Sequence, residues 1–156
     1  MKRAEATRLL GSKVRAWTAM NGIYVGTLEE VYGSPWRGVV LITGVIEPAC
    51  AWSVDRVRPR RGFRPGDQMK VGGVNISPTD EVGVTYVEAL RRQKQKFAGY
   101  LTDTKMREKD KWWLPQTIKA IETLIEQEDA NARLHPTTEK EANAEPESIQ
   151  SEVSAA

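Results

Sequence analysis

The spacing of apolar residues changes character twice along this chain. From Gly11 to Pro78 apolar and polar residues alternate in short runs punctuated by Gly, Pro, Asn and Asp; from Val84 to Ile125 the apolar residues recur every three or four positions; beyond Glu128 large apolar side chains become scarce. Alternation with a period of two suits half-buried strands, a spacing of three to four suits the stripe of an amphipathic helix, and a polar stretch without periodicity suits neither. The pattern predicts a strand-built unit, then a helical unit, then a tail.

Within the first unit, Val14, Ala16 and Thr18 alternate with Lys13, Arg15 and Trp17 and stop at Asn21-Gly22, a dipeptide that predicts a type I′ hairpin turn. The return strand, Ile23 to Val31, carries Ile23, Val25, Thr27 and Glu29 on one side and Tyr24, Gly26, Leu28 and Glu30 on the other. Gly26 permits a bend or a close neighbour. After the turn Gly33-Ser34-Pro35, the run Val39-Val40-Leu41-Ile42 is apolar on both faces and predicts a central strand. Pro48 and Pro59 interrupt residues 47–61, which leaves room for a short strand near Val54. Arg64-Pro65-Gly66-Asp67 is turn chemistry, and Gln68–Val71 with Val74–Ile76 around Gly72-Gly73 predicts a last hairpin or a bulged strand. Short strands at such close spacing predict a small five-stranded barrel over residues 11–78.

The helical unit, residues 83–127, reads as two helices. Val84, Val87, Leu90, Phe97 and Leu101 approximate one stripe, interrupted by Lys94; Leu114, Ile118, Ile121 and Ile125 form a cleaner one, with Pro115 tolerated in the first turn. The pair suits a helical hairpin, with Trp112 and Trp113 in the connection. Residues 1–10 suit a flexible or helical arm, since so short a helix needs docking to persist. Residues 128–156 suit a disordered acidic tail. The expected class is therefore α+β.

The opening Gly11-Ser12-Lys13-Val14, then Asn21-Gly22, Gly26-Thr27-Leu28 and Val31, resembles the KOW type of SH3-like barrel, in which a hairpin with spaced glycines recurs. The resemblance spans the first hairpin only. It implies a small barrel that binds RNA, DNA or protein and carries no catalytic centre, and it assigns no individual functional residue.

Charge adds an asymmetry that the formal total of +2 conceals. Residues 128–156 hold seven acids against Arg133 and Lys140, a net −5, which leaves residues 1–127 at +7. A basic body suits an anionic partner, because clustered Lys and Arg bind phosphates. The sharpest candidate is Arg56, Arg58, Arg60, Arg61 and Arg64, interleaved with Trp52 and Phe63: guanidinium groups fork onto phosphate and stack on bases. Trp36, beside Pro35 and Arg37, is a second stacking candidate. The plain alternative is a strand edge kept soluble by charge. Arg91, Arg92, Lys94 and Lys96 form another basic set, which reads more simply as a solvated helix face.

Chemistry is narrowed by inventory. The one histidine, His135, falls in the expected tail, and the one cysteine, Cys50, has no histidine to activate it; neither a Gly-Lys-Ser/Thr phosphate loop nor G-x-G-x-x-G occurs. Asp55 with Asp67, or Asp80 with Glu81, read as turn and cap residues. The expectation is a non-enzyme with no cofactor and no metal. The longest apolar run, residues 39–46, is broken by Thr43 and Gly44 and is too short to span a bilayer, and the start lacks a secretory signal, so a cytoplasmic setting is expected. The function expected first is a DNA- or RNA-binding module or accessory regulator. The alternative is a protein-interaction adaptor or inhibitor that grips its partner through the tryptophan-rich barrel and helical hairpin; a homodimer suits either.

Overall fold

The computed structural model describes residues 1–52, 57–60 and 62–134, and of residues 51, 52, 57 and 58 the backbone only. The chain is α+β. In order it forms α1 (Arg3–Arg8), β1 (Lys13–Thr18), β2 (Gly22–Tyr32), β3 (Arg37–Glu47), β4 (Cys50–Trp52), β5 (Val57–Pro59), β6 (Gln68–Gly72), β7 (Ile76–Pro78), α2 (Tyr86–Thr102) and α3 (Leu114–Leu134). Five strands make one antiparallel sheet in the order β6-β3-β2-β1-β7, and β4 pairs with β5 separately.

β1, β2 and β3 form where the alternation places them, with a correction at the first turn and register breaks in the β2–β3 pairing between Ile23 and Tyr24, Val25 and Gly26, and Leu28 and Glu30. Thr18 pairs with Gly22, so three residues and not two cross between β1 and β2. Only Gly22 has a positive φ, 89°, whereas a type I′ turn needs two such residues. Asn21 instead donates its backbone N–H to the Thr18 hydroxyl at 3.1 Å. Gly26 is where neighbours come closest: a Cβ there would lie 2.2 Å from the Leu41 carbonyl oxygen and 2.7 Å from Val40 Cγ1. β3 lies between β2 and β6 and is the central strand that its two-sided apolar run predicts.

The expected last hairpin does not form. β6 and β7 lie on opposite edges of the sheet, joined by a 3-10 turn over Gly73–Asn75. The physical reason is Trp36, whose ring packs on Gly73 so closely that a Cβ would meet Cε2 at 2.0 Å. That contact, with the Gly73 N–H bonded to the Trp36 carbonyl at 3.0 Å, pins the chain as it leaves β6. The sheet has five strands as expected, but its ladders do not close into a barrel among the described residues. The short strand expected near Val54 lies outside them; β4 and β5 flank that gap.

Val14, Ala16, Tyr24, Leu28, Val40, Ile42, Met69 and Ile76 cover one face of the sheet and are at most 3 % exposed. Tyr86, Ala89, Leu90 and Phe97 of α2 and Leu114 and Ile121 of α3 join the same core. The two helices run antiparallel, as the ion pairs Arg91–Asp129 and Lys94–Glu122 require. α1 is docked, with Ala6 buried and Arg3 donating to the Gly33 carbonyl oxygen at 3.1 Å. α3 runs to Leu134, past the boundary at 127, because Glu128 and Asp129 find basic partners on the folded body. The rest of the expected tail, 135–156, lies outside the described residues.

Candidate functional site

Of the seven residues proposed to hold nucleic acid, the four whose side chains are described, Arg60, Arg64, Arg37 and Trp36, are not brought together on one surface. Arg56, Arg61 and the side chain of Arg58 lie outside the described residues. Arg60 is exposed just beyond β5, where its N–H donates to the Ala49 carbonyl oxygen at 2.9 Å. Arg64 turns inward: its guanidinium pairs with Glu128 of α3 and lies 5.2 Å from the centroid of the Tyr86 ring. Its charge is answered by a local carboxylate. Arg37 is exposed at the first residue of β3, the far end of that strand from the β4–β5 segment. Trp36 is half-buried, its face on Gly73 and its indole N–H donating to the Met1 carbonyl oxygen at 3.0 Å.

The second basic set is mostly spoken for. Arg91 pairs with Asp129, Arg92 with Glu88 at 3.3 Å and Lys94 with Glu122 at 3.2 Å, which leaves Lys96 exposed and in no ion pair among the described residues. Two of these bonds tie α2 to α3. Two of the carboxylates considered as pairs have structural partners: Asp67 accepts the Arg64 N–H at 2.9 Å and Glu81 pairs with Arg15 at 2.8 Å. Asp55 lies outside the described residues.

The feature with binding chemistry is a cleft of about 250 Å³ between α2 and the corner where β3 passes into β4. Its walls include Phe97, Tyr100 and Trp113. The Phe97 ring meets Trp113 edge-on, centroids 5.3 Å apart and planes at 86°, and Tyr100 at 6.0 Å. Arg92 and Lys96, one helical turn apart, stand on one rim with Glu47 on the sheet side. Gln93 also lines the cleft, only 6 % exposed, and its Oε1 is buried without a hydrogen-bond partner among the described residues. Cys50 lines the cleft too; burial, and then the nearby Glu47, push its thiol up to about 11, so it stays protonated at neutral pH. The cleft combines an aromatic wall with two cationic side chains on its rim. Among the described residues no group of three or more His, Cys, Asp or Glu side chains could hold a metal ion, and no helix is long and apolar enough to cross a membrane.

Gln93 was legible and missed. Tyr86, Leu90, Gln93 and Phe97 fall at steps of four, three and four, the same rhythm that marks α3, and all four are buried. Of the expected stripe, Leu90 and Phe97 lie on the buried face, whereas Val84 lies before the helix, bridging to Val45, and Leu101 is 39 % exposed. A single amide on an otherwise apolar stripe was the available signal.

The crystal structure of kinase-associated protein B from Bacillus cereus is similar to this chain, with a TM-score of 0.57 at 15 % identity over 77 % of this chain and 96 % of that one. At that identity the likeness speaks for the fold alone. No family model matches the chain, and no curated protein matches it.

Proposed function

We propose that this chain is a non-enzymatic protein-interaction module whose binding side is formed by α2, α3 and their connection. One observation carries the reading: Trp112 is 56 % exposed in that connection, next in sequence to the aromatic wall of a cleft that holds an unsatisfied buried amide. A single exposed apolar side chain is ordinary, but Trp is enriched where partners dock, and this one adjoins an aromatic-lined cleft. The sheet reads as an SH3-like unit, supported by the order β7-β1-β2-β3-β6 and by the 3-10 turn linking its edge strands; the glycine pattern of the first hairpin favours the KOW type. A cytoplasmic setting belongs to the same proposal. The structural neighbour's own name describes a protein associated with a kinase, which agrees in kind with an interaction role.

A photo-crosslinking residue placed at Trp112, with another at Lys13 on the sheet as control, tests this in cells. Discrete protein adducts at position 112 and none at 13 are expected. Nuclease-sensitive adducts, or none at 112, would reject it.

The nucleic-acid reading keeps one specific support, the exposed Arg60 beside the β4–β5 hairpin. Replacing Arg58, Arg60 and Arg61 together by Ala should then abolish a binding to duplex DNA or RNA that weakens steeply as salt rises.

A further inference from the structure

We infer that the α2–α3 connection holds Trp112 out as a clamped anchor for an acidic socket on a partner protein, an apolar hollow rimmed by carboxylates. This inference rests on the protein-interaction reading and names the chemistry of the partner.

The ring is anchored on both sides along the chain. Lys111, the residue before it, is only 7 % exposed, and its ammonium donates to the Leu101 carbonyl oxygen at 3.0 Å and to Glu108 at 2.9 Å. Burying an ammonium is costly unless its donors are used, and these two bonds fold the connection back onto the last turn of α2. Two residues beyond Trp112, Leu114 is fully buried in the core. Trp112 therefore stands exposed between two fixed positions, and a ring held in place beforehand gives up less freedom on binding. Leu101, at the turn that Lys111 grips, is also exposed and adds apolar surface there.

Charge names the partner's rim. Residues 103–119 hold five cations against three acids, a net +2. The acids are already engaged: Glu108 and Asp110 answer Lys111 and Arg107, and Asp103 accepts the Lys105 N–H at 2.9 Å. Lys105, Lys109 and Lys119 are exposed and in no ion pair among the described residues. Lys105 and Lys109 share the connection with Trp112, and Lys119 lies about two helical turns past it, beyond the exposed Gln116. Carboxylates around the socket would complete these three lysines and steer the encounter. A nucleic acid fits less well, because phosphates recurring along a strand would meet Glu108, 90 % exposed, whereas a folded partner can place its acids around it. The one guanidinium of the connection, Arg107, is paired with Asp110 and not free to fork onto phosphate. A bilayer also fits less well, since one ring and part of Leu101 bury little apolar area.

A random copolymer of glutamate and tyrosine offers rings among carboxylates, and a lysine–tyrosine copolymer offers the same rings with the charge reversed. Each would be titrated into the full chain while NMR follows the backbone amides of residues 103–119 and the Trp112 indole, assigned by its loss in Trp112→Phe. The acidic copolymer should move these signals and the basic one should not. Trp112→Ala should weaken the acidic copolymer about tenfold, and the pair Lys105→Glu with Lys109→Glu about as much. Lys105→Arg with Lys109→Arg, which keeps the charge, should bind like the unaltered chain. Unmoved amide signals from the sheet in each variant separate lost binding from lost folding. Equal binding of both copolymers, binding indifferent to Trp112→Ala, or tighter binding of oligothymidylate or of phosphatidylglycerol vesicles would overturn the inference. Protein adducts at position 112 in cells alongside an unresponsive connection would sink the acidic socket and leave the interaction module standing; loss of those adducts would reject the module itself.

Discussion

Arg64 and Lys96 belong to two basic runs that look alike in sequence and differ in what the fold does with them. Arg64 closes the run that begins at Arg56, yet its guanidinium leaves the surface, pairs with Glu128 and lies over the Tyr86 ring. Lys96 closes the run on α2 and stays in water beside an aromatic cleft. The difference lies in the acids of α3. Glu122, Glu128 and Asp129 answer Lys94, Arg64 and Arg91, and the last two of those acids fall in the stretch expected to be tail. A local surplus of positive charge in a sequence is therefore no measure of positive surface until the distant carboxylates have been placed.

If apolar packing holds the helices on the sheet and the ion pairs only trim their register, truncating the core should cost most. Leu90 is fully buried on α2. Leu90→Ala removes packing and leaves a cavity, for an expected loss of about 3 kcal/mol in urea-induced unfolding. A loss under about 1 kcal/mol would mean that the helices are held chiefly by charge.

The Arg64–Glu128 pair should come next. It is partly buried, with side chains 26 % and 12 % exposed, so it lies between surface pairs and fully buried ones. Arg64→Ala leaves Glu128 facing the body without its cation and removes the contact with Tyr86; about 2 kcal/mol should be lost. The double replacement with Glu128→Ala should lose clearly less than the two single losses added together. Strict additivity in that cycle would show that the pair is incidental and that Arg64 is free to serve another partner.

These two sites also show where sequence reading succeeds and where it stops. Alternation in β1 to β3, the turn at Arg64–Asp67 and the stripe Leu114-Ile118-Ile121-Ile125 are local rules, and local rules survive folding. The connection from β6 to β7 was misread because Gly72-Gly73 looks like turn chemistry, while its path is set by Trp36, thirty-seven residues earlier in the chain than Gly73. Long-range neutralisation of Arg64 was invisible for the same reason. Gln93 was different: its spacing lay in plain view, and choosing Lys94 as the interruption of the stripe hid it.

Burial of a neutral phenol gives a third and smaller test. Tyr24 donates its hydroxyl to the Asn21 carbonyl oxygen, accepts the Phe63 N–H at 3.1 Å and packs edge-on against the Phe63 ring. Burial raises its pKa to about 12, offset in part by the Phe63 N–H and reinforced by Tyr86 and Asp67. The unfolded chain, with an ordinary value near 10, loses this proton first. Stability attributable to Tyr24 is therefore full below pH 10 and falls as pH rises toward 12, by about 1 kcal/mol at pH 11. Tyr24→Phe should flatten that part of the profile. An unchanged alkaline slope in the variant would place the titrating group elsewhere.

The smallest effect sharpens the comparison from the exposed side. Lys94 meets Glu122 across the helical hairpin at 3.2 Å, with side chains 41 % and 46 % exposed. Water and salt screen such a pair, and holding two long side chains together costs rotamer freedom, so Lys94→Ala should change stability by no more than about 0.5 kcal/mol. Whatever loss is seen should vanish in 1 M NaCl, while the loss from Arg64→Ala should largely persist. If salt erased both equally, the Arg64 pair would be as solvated as its exposed counterpart. The inward turn that separates the two basic runs would then have no energetic content, and the run from Arg56 to Arg64 would again be a candidate surface for an anionic partner.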